Sequence, residues 1–282
     1  MTTAASAQRI RCLCGANRLA PVFVYAAPPA GETRYAFTSG RPYHREIWRC
    51  ESCGHFRSVH ELDASGLYQG DYVNATYTAE GMRRAYDRIM GLDPSRSDNA
   101  GRVARVLGWA ESMPSPAGRA RTILDVGSGL CVFLSRMKSA GWRCTALDPD
   151  PRAVEHARAA AGVEAVCGDF RTAQGLGAFD AITFNKVLEH VPDPEALLKK
   201  AAEHLEPVGF IYLEVPDGEM AVREGADREE FHIDHWHAFS AASVVVLAGR
   251  CGYVVQALER LREPSGKYTL RAMLVMAGGA RR

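Results

Sequence analysis

Three groups of residues in this chain have the types and spacing to do chemistry. The first is an acid followed by a glycine turn, Asp125-Val126-Gly127-Ser128-Gly129-Leu130-Cys131. Gly127 and Gly129 lack a Cβ where the backbone must turn tightly, so a ligand can come close. A helix is expected to start near Leu130, and its free N–H groups would point back at the turn. That is the geometry of a nucleotide-binding βα turn. A dinucleotide site would need a third glycine, and Cys131 and Val132 stand there instead. Asp125 would repel a pyrophosphate and suits a ligand that carries a cation. Asp148, ending the next strand, could accept hydrogen bonds from two ribose hydroxyls. Asp169, or the amide beside it, ends the third strand and could meet an adenine amino group.

The second group is a histidine loop, Phe231-His232-Ile233-Asp234-His235-Trp236-His237-Ala238-Phe239-Ser240, joined by Glu189-His190 further upstream. His232 and His235 would share a helical face, and Asp234 could orient a ring nitrogen. A second metal site or a solvated lid is the alternative. His190 also has a purely structural alternative.

The third group is two cysteine pairs, Arg11-Cys12-Leu13-Cys14-Gly15 and Cys50-Glu51-Ser52-Cys53-Gly54. The second is the turn of a zinc knuckle, and two such halves would give a closed, structural tetrahedral zinc site. The first pair is irregular, so His44, His55 or His60 could replace one thiolate. Otherwise the four are ordinary buried cysteines. Between this segment and the rest lies a tyrosine-rich stretch. Its Tyr68, Tyr72 and Tyr77 would either line a substrate pocket or pack a domain junction.

The elements that must position these groups follow an alternating pattern. A helix is expected at about 99–111, then strands at 121–126, 142–148, 163–167, 179–184 and 210–215. Helices are expected between them near 130–140, 151–161 and 194–205, with Pro207-Val208-Gly209 as a turn. Asp150 reads as an N-cap with Pro151 at the first helical position. A helix at 240–250 and two last strands would close the sheet edge as an antiparallel hairpin. Such alternation predicts an α/β fold with a parallel sheet covered on both faces, and its ligands sit at the carboxyl ends of the strands. The expected division is a zinc-binding segment over 1–66, a link and helix over 67–118, and a nucleotide-binding domain over 119–282 with a substrate loop at 216–240.

Leu124-Asp125-Val126-Gly127-Ser128-Gly129, Leu147-Asp148, Gly168-Asp169 and Val187-Leu188-Glu189-His190-Val191 with Asp193-Pro194 resemble, in order, the motifs of class I S-adenosylmethionine-dependent methyltransferases. The resemblance implies a Rossmann-like seven-stranded fold whose last strand is antiparallel. It implies that Asp125, Gly127 and Gly129 hold the methionine part of the cofactor, Asp148 with Pro149 the ribose, and Asp169 with Phe170 the adenine, with Asn185 nearby. Cys131 departs from the family, which usually has a small glycine there. A narrower resemblance, to methyltransferases of nucleotide-linked deoxysugars, covers the zinc segment, the tyrosine-rich link and the histidine loop. It implies His235 as general base with Asp234 as its neighbour, His190 beside them, and Tyr72, Tyr77, His232 and His237 on the acceptor side. Those proteins usually continue into a further domain with sugar contacts, whereas this chain stops soon after Met276. That favours methylation of a sugar or polysaccharide hydroxyl over C-methylation.

Composition narrows the partners. The chain has 282 residues, 34 basic against 33 acidic, for a net charge of +1. This balance does not suggest a nucleic acid. Neither a membrane-spanning run nor a secretory signal is evident, so a cytoplasmic monomer or homodimer is expected. A small aromatic or polyketide hydroxyl is the alternative acceptor. A degenerate, non-catalytic binding subunit is the alternative outside enzymes.

Overall fold

A computed structural model describes residues 11–35, 42–60 and 79–278. Tyr68, Tyr72 and Tyr77 lie outside the described residues. Near the N-terminus β1 (Leu19–Tyr25), β2 (Arg45–Cys50) and β3 (Phe56–His60) form an antiparallel sheet. Helices α1 (Ala79–Met90) and α2 (Asp98–Glu111) follow, α2 being capped by the Ser97 side chain, which accepts from the Ala100 amide. The alternating region then runs β4 (Thr122–Val126), α3 (Val132–Ser139), β5 (Arg143–Asp148), α4 (Pro151–His156), β6 (Glu164–Cys167), β7 (Phe179–Asn185), α5 (Pro194–Ala201) and β8 (Leu205–Pro216). The chain closes with α6 (Gly218–Ala221), β9 (His237–Ala238), α7 (Ala241–Arg250), β10 (Tyr253–Arg262) and β11 (Tyr268–Met276).

Seven strands form the main sheet in the order β10-β11-β8-β7-β4-β5-β6. The five from β8 to β6 are parallel, and β11 is antiparallel to both of its neighbours. This is the expected α/β fold, with helices on both faces. One apolar cluster, with Ile182, Phe184, Ile211 and Leu213, packs against α5 and α7. The other, with Ile123, Ala146, Phe210 and Tyr212, packs against α2 and α3. The chain leaves β4 for β5 and β6 on one side, then returns to place β7 on the other. The β4/β7 boundary is therefore a topological switch point, where a crevice opens at the strand ends.

Two expectations need correction. The helix at 194–205 tightens after Ala201 into a 3-10 turn over Ala202–His204, and Pro207-Val208-Gly209 is part of the long β8, not a turn. The ladder to β7 is irregular there: Phe179 pairs with Leu205 but Ala181 with Phe210, so the missing N–H of Pro207 is not needed. Helix α3 starts at Val132 and not near Leu130, because Cys131 sits in the left-handed region (φ 58°).

Behind the crevice, Glu214 of β8 is fully buried. It accepts from Arg102 Nε at 2.9 Å and Tyr212 OH at 2.8 Å, and Arg271 Nε lies 3.4 Å away. Burial alone would push this carboxyl up, yet Arg102 holds it at about 2. Replacing Glu214 with Gln takes the carboxylate from Arg102, while Arg271 keeps Glu263 at 2.7 and 2.8 Å, so it should cost about 3 kcal/mol in urea denaturation. A loss below about 1 kcal/mol would mean that Arg102 finds another partner.

Candidate active site

The crevice holds one cleft of about 960 Å³. Asp125, Gly127, Gly129, Asp148, Pro149, Asp169, Phe170 and Asn185 all line it, as do His190, His232, Asp234 and His235. The structure thus brings together residues from four strand ends and from the histidine loop.

On the nucleotide side, Asp125 is 2% exposed at the end of β4. It is fixed from β7, accepting from Thr183 Oγ1 at 2.6 Å and Asn185 Nδ2 at 2.8 Å. Burial raises its carboxyl to about 6, against these hydrogen bonds and Arg102. Gly127 has φ 71°, and a Cβ there would come within 2.9 Å of Val187 Cγ2, so glycine is required on both counts. Gly129 donates its amide to Asp148 Oδ2 at 2.9 Å, while Asp150 donates to Oδ1 at 2.9 Å. The glycine turn and the second acid are thereby tied into one rigid cradle. Asp169 behaves differently from its two partners. Its carboxylate is gripped by Arg171, with Nε at 3.0 and 3.1 Å, and only its amide and Phe170 remain as candidate adenine contacts.

The histidine side is not helical, contrary to the shared helical face expected for His232 and His235. A single 3-10 turn (Glu229–Phe231) leads into a tight turn in which the His235 amide donates to the His232 carbonyl at 3.0 Å. His235 Nδ1 lies 3.0 Å from the Glu230 carbonyl, and His190 Nδ1 lies 3.0 Å from that of Asp234. In each ring the Nδ1–H therefore donates to backbone, which leaves Nε2 of His235 as the lone-pair nitrogen. The two rings meet edge-on with centroids 4.8 Å apart. Burial lowers His235 to about 4, against the favourable charge of Asp234. Burial pushes the Asp234 carboxyl up, but His235 and His190 outweigh it and hold it below its usual range.

His237 is a correction. It does not line the cleft but lies buried under the N-terminal sheet, 2.9 Å from His55 Nε2 and 3.0 Å from Arg57 Nη1. Its strand β9 pairs with β3, so the loop adds a fourth strand to that sheet.

The loop is bolted down at several other points. Arg45, fully buried, bonds the Phe231 carbonyl and Glu32 Oε2, the latter at 3.0 Å. The Glu32 carboxylate also accepts from the Ile233 amide at 2.7 Å. Gly218 lets the chain press onto Phe56, whose ring would lie 2.5 Å from an added Cβ.

Lys186, which lines the cleft, was not singled out from the sequence, whereas Glu189, also on the cleft, was read there with His190 as a candidate source of the base. Lys186 has φ 60°, and a positive φ at a bulky residue marks a site under constraint. Sequence alone carries no signal for that.

The four cysteine sulfurs of the N-terminal segment lie within 4.8 Å of one another. Cys12 and Cys53 are 3.4 Å apart, and Cys14 and Cys50 3.7 Å. Tetrahedral thiolates at 2.3 Å from one ion would be ~3.8 Å apart, so the donor set fits a metal. His55 points to Ser243 and His237, so a histidine is not needed as the fourth ligand. Glu189, His190 and His235 form a second group with donor atoms within 4.8 Å.

Comparison with known proteins agrees with this layout. The sequence profile of a family described as "Methyltransferase domain" matches residues 76–258. A ubiquinone biosynthesis O-methyltransferase of Xanthomonas axonopodis pv. citri (strain 306) is 37% identical over 114 residues, 38% of this chain and 47% of that protein. The corresponding protein of Xanthomonas oryzae pv. oryzae (strain PXO99A) is 37% identical over 98 residues, 32% of this chain and 41% of the relative. The chain thus spans less than half the length of these curated relatives. Among solved structures, magnesium protoporphyrin IX methyltransferase from Synechocystis PCC 6803 aligns with a TM-score of 0.56 at 15% identity, covering 76% of this chain and 100% of that one. Burkholderia thailandensis 1,6-didemethyltoxoflavin-N1-methyltransferase aligns with a TM-score of 0.55 at 17% identity, covering 89% and 99%. At these identities the likeness is one of fold. Among the described residues no helix is long and apolar enough to cross a membrane.

Proposed function

This chain belongs to the methyltransferase-domain family, and from that premise we propose that it transfers a methyl group from S-adenosylmethionine to a hydroxyl of a sugar-like acceptor, nucleotide-linked or part of a glycan. One observation carries the reading: an acid-bearing glycine cradle and a neutral, backbone-oriented histidine line the same cleft at the sheet's switch point. The cradle fits the cofactor. Asp148 keeps lone pairs for two ribose hydroxyls, and Gly129 faces open space where a side chain would obstruct a ligand. Asp125, with Asn185 beside it, suits the cationic methionine end.

When bound, the cofactor supplies a methyl carbon on a positively charged sulfur. As an acceptor oxygen took that methyl group, His235 Nε2 would take up the hydroxyl proton. The Glu230 carbonyl would hold the ring in place through Nδ1, and the Asp234 carboxylate would stabilise the imidazolium that forms. A polar acceptor is favoured by the atoms left over in this cleft. Both oxygens of Glu189 and Nε2 of His232 are buried with no hydrogen-bond partner. An apolar acceptor would leave each unsatisfied, at about 1–3 kcal/mol apiece, whereas a polyhydroxylated one would satisfy them. We further propose that Cys12, Cys14, Cys50 and Cys53 hold a structural zinc that stabilises the N-terminal sheet.

Calorimetry with S-adenosylmethionine, followed by mass-spectrometric screening of nucleotide sugars and small phenols for a methyl adduct, tests this. Tight binding is expected in the native chain. Asp148→Ala should weaken it by roughly 10²-fold, the loss of two hydrogen bonds to a charged acceptor. Equal affinity in both proteins would sink the cofactor assignment.

A further inference from the structure

The proposed reaction uses His235 and leaves Glu189 and Lys186 unexplained. Glu189 is 1% exposed, and neither of its carboxylate oxygens has a hydrogen-bond partner, yet it lines the cleft. A buried carboxylate without partners is expensive to keep and is expected to be waiting for one. One of its oxygens, one ring nitrogen of His190 and one of His235 lie within 4.8 Å of one another. Lys186 stands three residues before it, at the end of β7 and also on the cleft. Its backbone holds φ 60°, a conformation that costs free energy for a side chain of this size and persists mostly where function requires it. One of its three N–H groups donates to Thr269 Oγ1 at 2.7 Å. Burial pulls its ammonium below the usual lysine range, against the opposing field of Glu214 and Glu189.

A single hydroxyl cannot serve both His235 and Glu189. Two hydroxyls on neighbouring carbons can, each making an O–H···O or O–H···N bond of roughly 2.7–2.9 Å to acceptors this far apart. We propose that Glu189 and Lys186 form a second acceptor subsite, so that the enzyme selects vicinal diols. One hydroxyl lies at His235 and is methylated. Its neighbour donates to Glu189 and accepts from Lys186. The inference rests on the methyl-transfer reading and narrows its acceptor. A vicinal diol can belong to a sugar ring or to an aromatic ring, and the same two residues would read either.

The test is a matched set of acceptors with the full chain and S-adenosylmethionine. UDP-glucose against its 2-deoxy analogue is the sugar arm, and catechol against phenol is the aromatic arm. The diol of at least one arm should be methylated with kcat/KM on the order of 10²-fold above its partner. In Glu189→Gln and in Lys186→Met that ratio should fall to near one, while cofactor affinity holds. A merely structural role would lower both members of a pair alike and leave the ratio intact, which would overturn the inference. It also falls if neither diol is methylated although the cofactor binds, or if the mono-hydroxyl compound is as good in the native protein. Saturable Mn²⁺ binding that Glu189→Gln abolishes would overturn it too, because the ion would occupy the atoms assigned to the diol. Failure of the cofactor to bind at all would instead remove the methyl-transfer reading itself.

Discussion

His235→Ala is expected to slow methyl transfer by about 10²–10⁴-fold, the usual contribution of a positioned general base, while cofactor binding stays as in the native chain. The separation follows from geometry. His235 stands on the loop, and the cofactor cradle is built from β4, β5 and the glycine turn, which share no hydrogen bond with it. The pH profile should carry the same signature. Burial holds the ring at about 4, so it is neutral and able to accept a proton from there upward. With S-adenosylmethionine saturating, so that the titration of Asp125 near 6 does not enter, kcat/KM for the acceptor should therefore rise through a limb near pH 4 and be flat across pH 6–8, where an exposed histidine of pKa ~6.5 would still be titrating. Single-turnover kinetics from pH 4 to 9 would measure both effects. Native-like turnover in His235→Ala would remove the base assignment, and a limb near 6.5 would mean that the ring is solvated in the working enzyme.

Much of the cofactor half was legible in the sequence because local chemistry dictates it. Gly127 must have a positive φ and no Cβ, and Asp125 and Asp148 follow strands whose apolar runs announce them. Cys131 shows where that legibility thins. Its left-handed backbone is the reason a glycine is usual at this position, and the chain accepts the strain with a buried thiol. The acceptor half depends on contacts far apart in sequence. His237 and His235 are two residues apart and look alike, yet β3 captures one into a sheet and leaves the other on the cleft. Nothing near His237 announces that, since its partner His55 belongs to the cysteine segment. The N-terminal strands were missed for a related reason: Arg45 and Glu46, both buried, break the apolar alternation that would mark β2. Glu189 was legible with His190 as a candidate source of the base, but its burial without a partner is a property of the assembled cleft.

The capture of the loop by the cysteine sheet leads to the second large effect. Replacing Cys50 and Cys53 together with Ser should lower acceptor turnover by at least about 10²-fold while S-adenosylmethionine still binds. If the four cysteines hold a structural metal as proposed, two of its thiolates would be lost, and with them its folding free energy. Cys50 ends β2 and Cys53 begins the turn into β3. Those two strands carry the groups that pin the loop: Arg45 on the Phe231 carbonyl, Ser58 donating to the Trp236 carbonyl at 3.0 Å, and the β3–β9 pairing. The Ser240 hydroxyl bonds the Cys53 carbonyl directly, and Ser240 also caps α7. Loosening the sheet therefore frees 228–240 and lets His235 drift, and a misplacement of ~1 Å is enough for a 10²-fold loss. The cradle lies across the cleft, held by the seven-stranded sheet, and its hydrogen bonds among Asp125, Gly129, Asp148, Asp150, Thr183 and Asn185 do not involve the cysteine segment. Metal analysis, calorimetry with the cofactor and limited proteolysis of the double variant would read the three consequences separately. Zinc absent, cofactor affinity native and new cleavage within 222–240 is the expected combination. Full turnover in a metal-free double variant would show that the loop holds its place without the cysteine centre. A joint loss of cofactor binding would mean that the two sheets fold as one cooperative unit.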